Sequence, residues 1–180
     1  YYALLQGSGL SPKSSYASYK SMLTDFMSYV NYFTPMIFAA LAVAVALRAG
    51  LFNIGVSGQM LAAGFTASII VGYSSLNAVL AKPLVVIIGL IVGGLVGGLI
   101  GFLKYRFNIN EVVSSIMLNY TFQYVISFFI NTFFVDPVSR QSKEISAASR
   151  LTLMDTMVGN LKMDIPLGII LALLTVVAVW

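Results

Sequence analysis

The stretch Arg48-Ala-Gly-Leu-Phe-Asn53-Ile-Gly55-Val-Ser-Gly58-Gln59-Met60 constrains this chain more than any other, because it sets glycines and amide side chains between two apolar runs, each long enough to enter a bilayer. In hydrocarbon an unpaired backbone amide costs on the order of several kcal/mol, so irregular backbone survives there only against protein or a water-filled cavity. The segment therefore reads as part of a pore or binding site. A connecting loop lying wholly outside the membrane would satisfy the same residues.

Composition decides that membrane depth is the right frame. Hydrophobic residues make up 59% of the chain and charged residues only 9%, where soluble domains carry about 25% charged residues. An apolar core takes about 20 helical residues to cross. The apolar runs are 29–47, 54–73, 84–103 and 112–135, with a fifth starting near Ile165 and still apolar at Trp180. The expected fold is all-α: a polytopic membrane helical bundle of about five spanning segments, broken or glycine-interrupted near 50–60. Residues 1–180 are expected to form one partial transmembrane domain. The chain starts at Tyr1 rather than Met and its fifth span is cut at Trp180, so an internal fragment is expected. Neither end has the pattern of a cleavable signal peptide.

Basic residues beside short loops favour the cytoplasmic side. Lys104 and Arg106 lie in the short link between the third and fourth runs, and Arg48 ends the first. With these inside, alternation puts residues 1–25, 74–83 and 136–164 outside, against which only Lys82 argues among the short links. The run from Gly7 to Ser14 mimics a phosphate-binding loop but has Pro12 in place of its second glycine. No strand pattern precedes it, and that motif needs a strand-to-helix turn to aim its amides.

The chain has no histidine and no cysteine. Thiolate chemistry, imidazole ligands and histidine acid–base catalysis are excluded within it, and no metal site is expected.

Gly89, Gly93, Gly94, Gly97, Gly98 and Gly101 form two interleaved rows at four-residue spacing in the third run. Small residues at that interval let helix backbones approach where no hydrophobic force drives association, so this face is expected to pack against other helices, or to act as a hinge. In the fourth run Glu111, Ser115, Asn119, Gln123, Ser127 and Asn131 recur every four residues. Four steps overshoot a turn by about 40°, so the row winds around the helix. Its first members, with Ser114 beside them, are expected to face the interior. Glu111 also has a structural reading, as a first-turn carboxylate behind the capping residue Asn110. Asn119 opens a glycosylation sequon that is accidental inside a span. The nearby aromatics Phe122, Tyr124, Phe128, Phe129, Phe133 and Phe134 can stack on a planar ligand or face lipid and neighbouring helices.

The run from Leu41 to Leu61, with Arg48, Asn53, Gly58, Gln59 and Met60 at its centre, resembles the signature of inner-membrane permeases of ATP-binding-cassette importers for nucleosides and simple sugars, a group that includes ribose-type and branched-chain amino acid permease-like proteins. Phe107-Asn-Ile-Asn110-Glu111-Val-Val-Ser-Ser115-Ile-Met-Leu-Asn119-Tyr is similar to a second segment of that group, in the same order. Ser57 departs from it, standing where many relatives carry an acidic residue. The resemblance covers about residues 30–180. It implies a multi-pass protein of the bacterial plasma membrane that pairs with a second permease subunit, cytoplasmic ATP-binding subunits and an extracytoplasmic solute-binding protein. ATP would bind the partner, with no cofactor in this chain and no nucleic acid. The segment that docks on the ATPase would follow Trp180.

Residue chemistry and resemblance together place Asn53, Gln59, Glu111, Ser114, Ser115 and Asn119 along a solute route. Amides and hydroxyls both donate and accept, which suits a neutral, hydroxyl-rich solute. An ion-coupled secondary transporter or a channel is the alternative, since that class uses broken helices and buried carboxylates. An intramembrane enzyme would need a catalytic constellation that is missing from the sequence.

Overall fold

The computed structural model describes residues 1–13, 15, 20–136, 138–142, 144–158 and 161–180, with 154–158 and 161–163 described by backbone alone. In chain order the elements are α1 (Tyr2–Gly7), α2 (Met22–Arg48), α3 (Val56–Ala67) continued by a π-helical turn (Ser68–Gly72), α4 (Ala78–Phe107), and α5 (Glu111–Phe129) continued by a second π turn (Ile130–Phe134). A 3-10 turn (Ala147–Ser149), the strands β1 (Thr152–Val158) and β2 (Leu161–Pro166), and α6 (Gly168–Val179) complete the order. The membrane portion is helical, as expected. Among the described residues, three segments have the length and apolarity to cross a bilayer: Met22–Arg48, Ala78–Phe107 and Glu111–Phe134. Val56–Gly72 and Gly168–Val179 are shorter. For Val56–Gly72 the reason is local, because the residues before Val56 are spent on the break rather than on helix.

Two compact units result, one of residues 1–41 with 151–180 and one of residues 42–150, the division passing through α2. In the first unit the segment 1–25, placed outside by the charge pattern, contains α1 and the first turn of α2. Lys13 Nζ pairs with Asp25 Oδ2 at 2.6 Å. The phosphate-loop mimic starts at the C-terminal end of the six-residue α1 and not after a strand, and its last residue, Ser14, lies outside the described residues. Pro35 sits inside α2 and has no N–H to give to the carbonyl of Asn31. The Asn31 side chain accepts a 2.9 Å bond from Thr152 Oγ1 and so ties the start of β1 to α2.

The segment 136–164 carries more order than its loop assignment anticipates. β1 and β2 pair antiparallel, with Thr152 opposite Pro166 and Leu153 opposite Ile165. Only the Leu161–Pro166 run alternates apolar and polar residues as a half-buried strand does, and a hydropathy reading passes over it. Lys143 and residues 159–160 lie outside the described residues.

In the second unit α3 packs between α4 and α5. Its centre is Ala62, Val96 and Ile126, with Phe65, Val92, Phe122 and Ile130 against them. Alanine on α3 is what lets a valine and an isoleucine from two other helices meet there. In lipid this contact contributes through close packing rather than through removal of apolar surface from water.

The α4–α5 turn is tightly specified. Asn108 takes the left-handed conformation at φ 52°, and Ile109 N–H reaches back to Leu103 C=O at 3.4 Å, the pattern that closes a helix C-terminus. Asn110 then caps α5, its Oδ1 accepting from Val112 N–H at 2.9 Å and Val113 N–H at 3.4 Å.

Candidate functional site

The interruption expected near 50–60 occupies residues 49–55. α2 ends because Gly50 adopts φ +72°, letting Leu51 N–H return to Ala46 C=O at 2.9 Å; a side chain at that φ would be strained. The chain then turns at Asn53, whose Oδ1 accepts from Gly55 N–H at 2.7 Å. α3 restarts at Val56, and its Gly55 cap offers no side chain to the first-turn amides. Those amides have no intrahelical acceptors.

Asn119, on α5, supplies one. Its Oδ1 accepts from Gly58 N–H at 2.7 Å and its Nδ2 donates to Ile54 C=O at 2.9 Å. One side chain therefore serves a helix N-terminus and the loop before it, from a different helix. The approach demands glycine: a Cβ on Gly58 would stand 2.6 Å from Asn119 Oδ1 and 3.0 Å from Asn119 Cα. Gly55 is as confined, since its Cβ would meet Asn53 Oδ1 and Ile100 Cδ1 at 2.9 Å and Ser115 Cβ at 3.2 Å. Asn53, Ser115 and Asn119 are thus gathered around the start of α3. Asn119 lies eight residues beyond Glu111, so the break sits about 12 Å along α5 from its beginning.

The other residues of the expected route are disposed differently. Ser114 and Ser115 are buried, and their hydroxyls donate to Glu111 C=O at 3.2 Å and Val112 C=O at 3.0 Å in their own helix. Glu111 Oε1 pairs with Lys104 Nζ at 2.7 Å, bracing the α4–α5 turn, and the same carboxylate accepts from the backbone of Phe52 in the break. Gln59 differs from all of these. Its Nε2 is shielded from solvent, has no hydrogen-bond partner among the described residues, and faces Gly97, where a Cβ would come within 3.3 Å. Further along α5 the winding row leaves the interior: Gln123, Ser127 and Asn131 are exposed.

Of the six glycines of α4, Gly97 alone has a described atom within 4 Å of an added Cβ. Gly89, Gly93, Gly94, Gly98 and Gly101 open onto free space among the described residues. Among the described residues no group of acidic side chains is placed to hold a metal ion.

Sequence reasoning passed over a cavity at the end of this unit opposite the Lys104–Glu111 turn. It measures about 260 Å³ and lies between the C-terminal halves of α3 and α5, with Gly64, Phe65, Ser68, Tyr73 and Phe134 on its walls together with Ser142 and Ile145. Tyr73 stacks on Phe134 with centroids 5.6 Å apart, and Phe65 meets Phe134 edge-on at 6.1 Å. The same Tyr73 and Phe134 also border a second cavity, of about 460 Å³, beside Ser74, Glu144 and Ser146. The loop after α5 folds back over this end, Ser146 N–H donating to Gly72 C=O at 2.9 Å. Both helices close in π turns at the cavity, a geometry frequent at functional sites. Phe134, one of the aromatics spaced to stack on a planar ligand, lines both cavities and Phe133 borders the second, whereas Tyr124 and Phe128 are exposed. The one sequence signal for the cavity is Gly64, a glycine in a helix interior without a packing partner.

Residues 26–180 match the family described as the branched-chain amino acid transport system / permease component. The chain is 36% identical over 179 residues to the guanosine ABC transporter permease protein NupP of Bacillus subtilis (strain 168), covering 96% of this chain and 51% of that protein. It is 36% identical over 152 residues to the nucleoside ABC transporter permease protein NupB of Lactococcus lactis subsp. cremoris (strain MG1363), covering 79% and 41%. Over 96 residues it is 31% identical to the glucose ABC transporter permease protein TsgB13 of Haloferax volcanii, covering 53% and 25%. The chain therefore spans about half the length, or less, of these relatives. No solved structure matches it significantly. The chain belongs to the branched-chain amino acid transport system permease family, and it is a multi-pass membrane protein.

Proposed function

We propose that the chain supplies pathway-forming helices of a permease subunit in an ATP-driven importer for nucleosides, located in the bacterial plasma membrane. The observation that carries the reading is the interrupted α2–α3 junction, held at depth by Asn119, in a chain 36% identical to two permeases named for guanosine and nucleosides. Discontinuous helices whose ends lie within the bilayer are a recurrent way to build a solute site there. Lys104, Arg106 and Arg48 mark the cytoplasmic side, so the cavity end faces outward. A simple sugar is the second reading, supported by the shorter match to a permease named for glucose.

In this scheme the solute arrives from an extracytoplasmic binding protein and passes between this subunit and a second permease subunit. Cytoplasmic ATP-binding subunits drive the change of access. Asn53, Ser115 and Asn119 hold the break in shape, and Gln59, whose amide nitrogen is shielded against α4 without a partner among the described residues, offers its donor to the solute when the change of access uncovers it. Ser114 and Glu111 keep the first turn of α5 and its link to α4 in register with the break.

The test is uptake of labelled guanosine into vesicles holding the complete importer. Flux that needs ATP and the ATP-binding partner is the expected result. Flux that persists without that partner and collapses with an uncoupler at constant ATP would instead mark an ion-coupled transporter.

A further inference from the structure

We infer that the cavity between the outer halves of α3 and α5 is a subsite for the planar base of a nucleoside, an inference that rests on the importer reading above. Its volume, about 260 Å³, is below the about 300–1,000 Å³ of pockets that enclose whole drug-sized ligands. It suits one ring system of a larger solute. The rings of Phe65, Tyr73 and Phe134 on its walls supply aromatic surface, and bases of any identity stack on such surface because each has a π face. Ser68 and Ser142 bring hydroxyls to the same space, and a hydroxyl can both donate to and accept from the edge of a base. An acyl chain, the other occupant that a half-open apolar cavity in a membrane protein would attract, has no use for these groups.

Two features argue that the space is kept open rather than left over. Gly64 lies on its wall, and an added Cβ there would meet nothing within 4 Å. A larger residue would fill the space and restore helix propensity at once, since glycine is among the poorest helix formers. The loop that rims the cavity is also pinned, by Ser146 N–H on Gly72 C=O and by Ile145, whose Cγ2 would stand 3.0 Å from a Cβ on Gly72.

The experiment photolabels the membrane complex with 8-azidoguanosine in the absence of the binding protein, and separately measures guanosine uptake by the complete importer, binding protein included, for the Gly64→Ala, Gly64→Leu and Gly64→Phe series. The inference expects label in the peptides bearing Tyr73 or Phe134, protected by guanosine and not by ribose. It also expects uptake to fall as the residue at 64 grows, by at least about fivefold for Gly64→Phe, with the complex still assembled. Label elsewhere, or wild-type uptake by an assembled Gly64→Phe complex, in an importer that moves guanosine would overturn the subsite and leave the importer reading standing. Label in the cavity that added phospholipid displaces and guanosine does not would assign the space to lipid and overturn it equally. Absence of guanosine uptake by the wild-type complex would remove the importer reading itself, and the subsite with it.

Discussion

Asn119 and Gly58 are separated by 61 positions in the sequence and joined by a 2.7 Å hydrogen bond from the Gly58 amide to the Asn119 side-chain oxygen. With the companion bond from Asn119 Nδ2 to Ile54 C=O, this makes one α5 side chain the brace of the break between α2 and α3. A residue type that suggests solute contact is, at this position, largely occupied by the backbone.

Asn119→Leu should therefore lower the stability of the assembled complex, and not merely its transport rate. It strands a donor and an acceptor at membrane depth, at about 1–3 kcal/mol for each group left unsatisfied. Thermal denaturation of the purified complex measures this. Unchanged stability with transport lost would return Asn119 to the solute route.

Gly58→Ala and Gly64→Ala should behave oppositely although both add one methyl to α3. At Gly58 the methyl meets Asn119 at 2.6 Å and has to push α5 away, a strain of about 1–3 kcal/mol. At Gly64 it enters open space, and the helix gains up to about 1 kcal/mol in propensity. Comparing the two melting temperatures checks the prediction.

Gln59→Leu should leave stability unchanged or raise it, because Nε2 is a shielded donor without a protein partner and an unmade hydrogen bond is what costs most. Transport should fall if that donor serves the solute. Wild-type uptake by a stable Gln59→Leu importer would remove Gln59 from the pathway.

Gly97→Leu should separate α3 from α4, since even a Cβ there comes within 3.3 Å of the Gln59 amide. A Cβ on Gly94 meets nothing within 4 Å among the described residues, so the damage done by Gly94→Leu should appear mainly in assembly with other helices. Size-exclusion profiles of the permease alone and of the whole complex distinguish the two outcomes.

Hydropathy, charge placement and helix breakers act over a few residues, so the sequence by itself determined the membrane class, the position of the break and the family. It also determined the tight α4–α5 turn, where Asn110 and Glu111 play the local capping roles their spacing suggests. Which atoms the polar residues spend on one another was decided only by the tertiary structure. The partners of Asn119 are backbone groups far away in the chain, and periodicity carries no information about them. The same holds for the cavity, whose walls come from two helices and a loop and whose emptiness depends on what faces Gly64. The glycine rows of α4 show the limit from the other side: their spacing is legible as a close-packing surface, yet among the described residues only Gly97 meets a neighbour, because a repeat states where a helix can be approached and not by what.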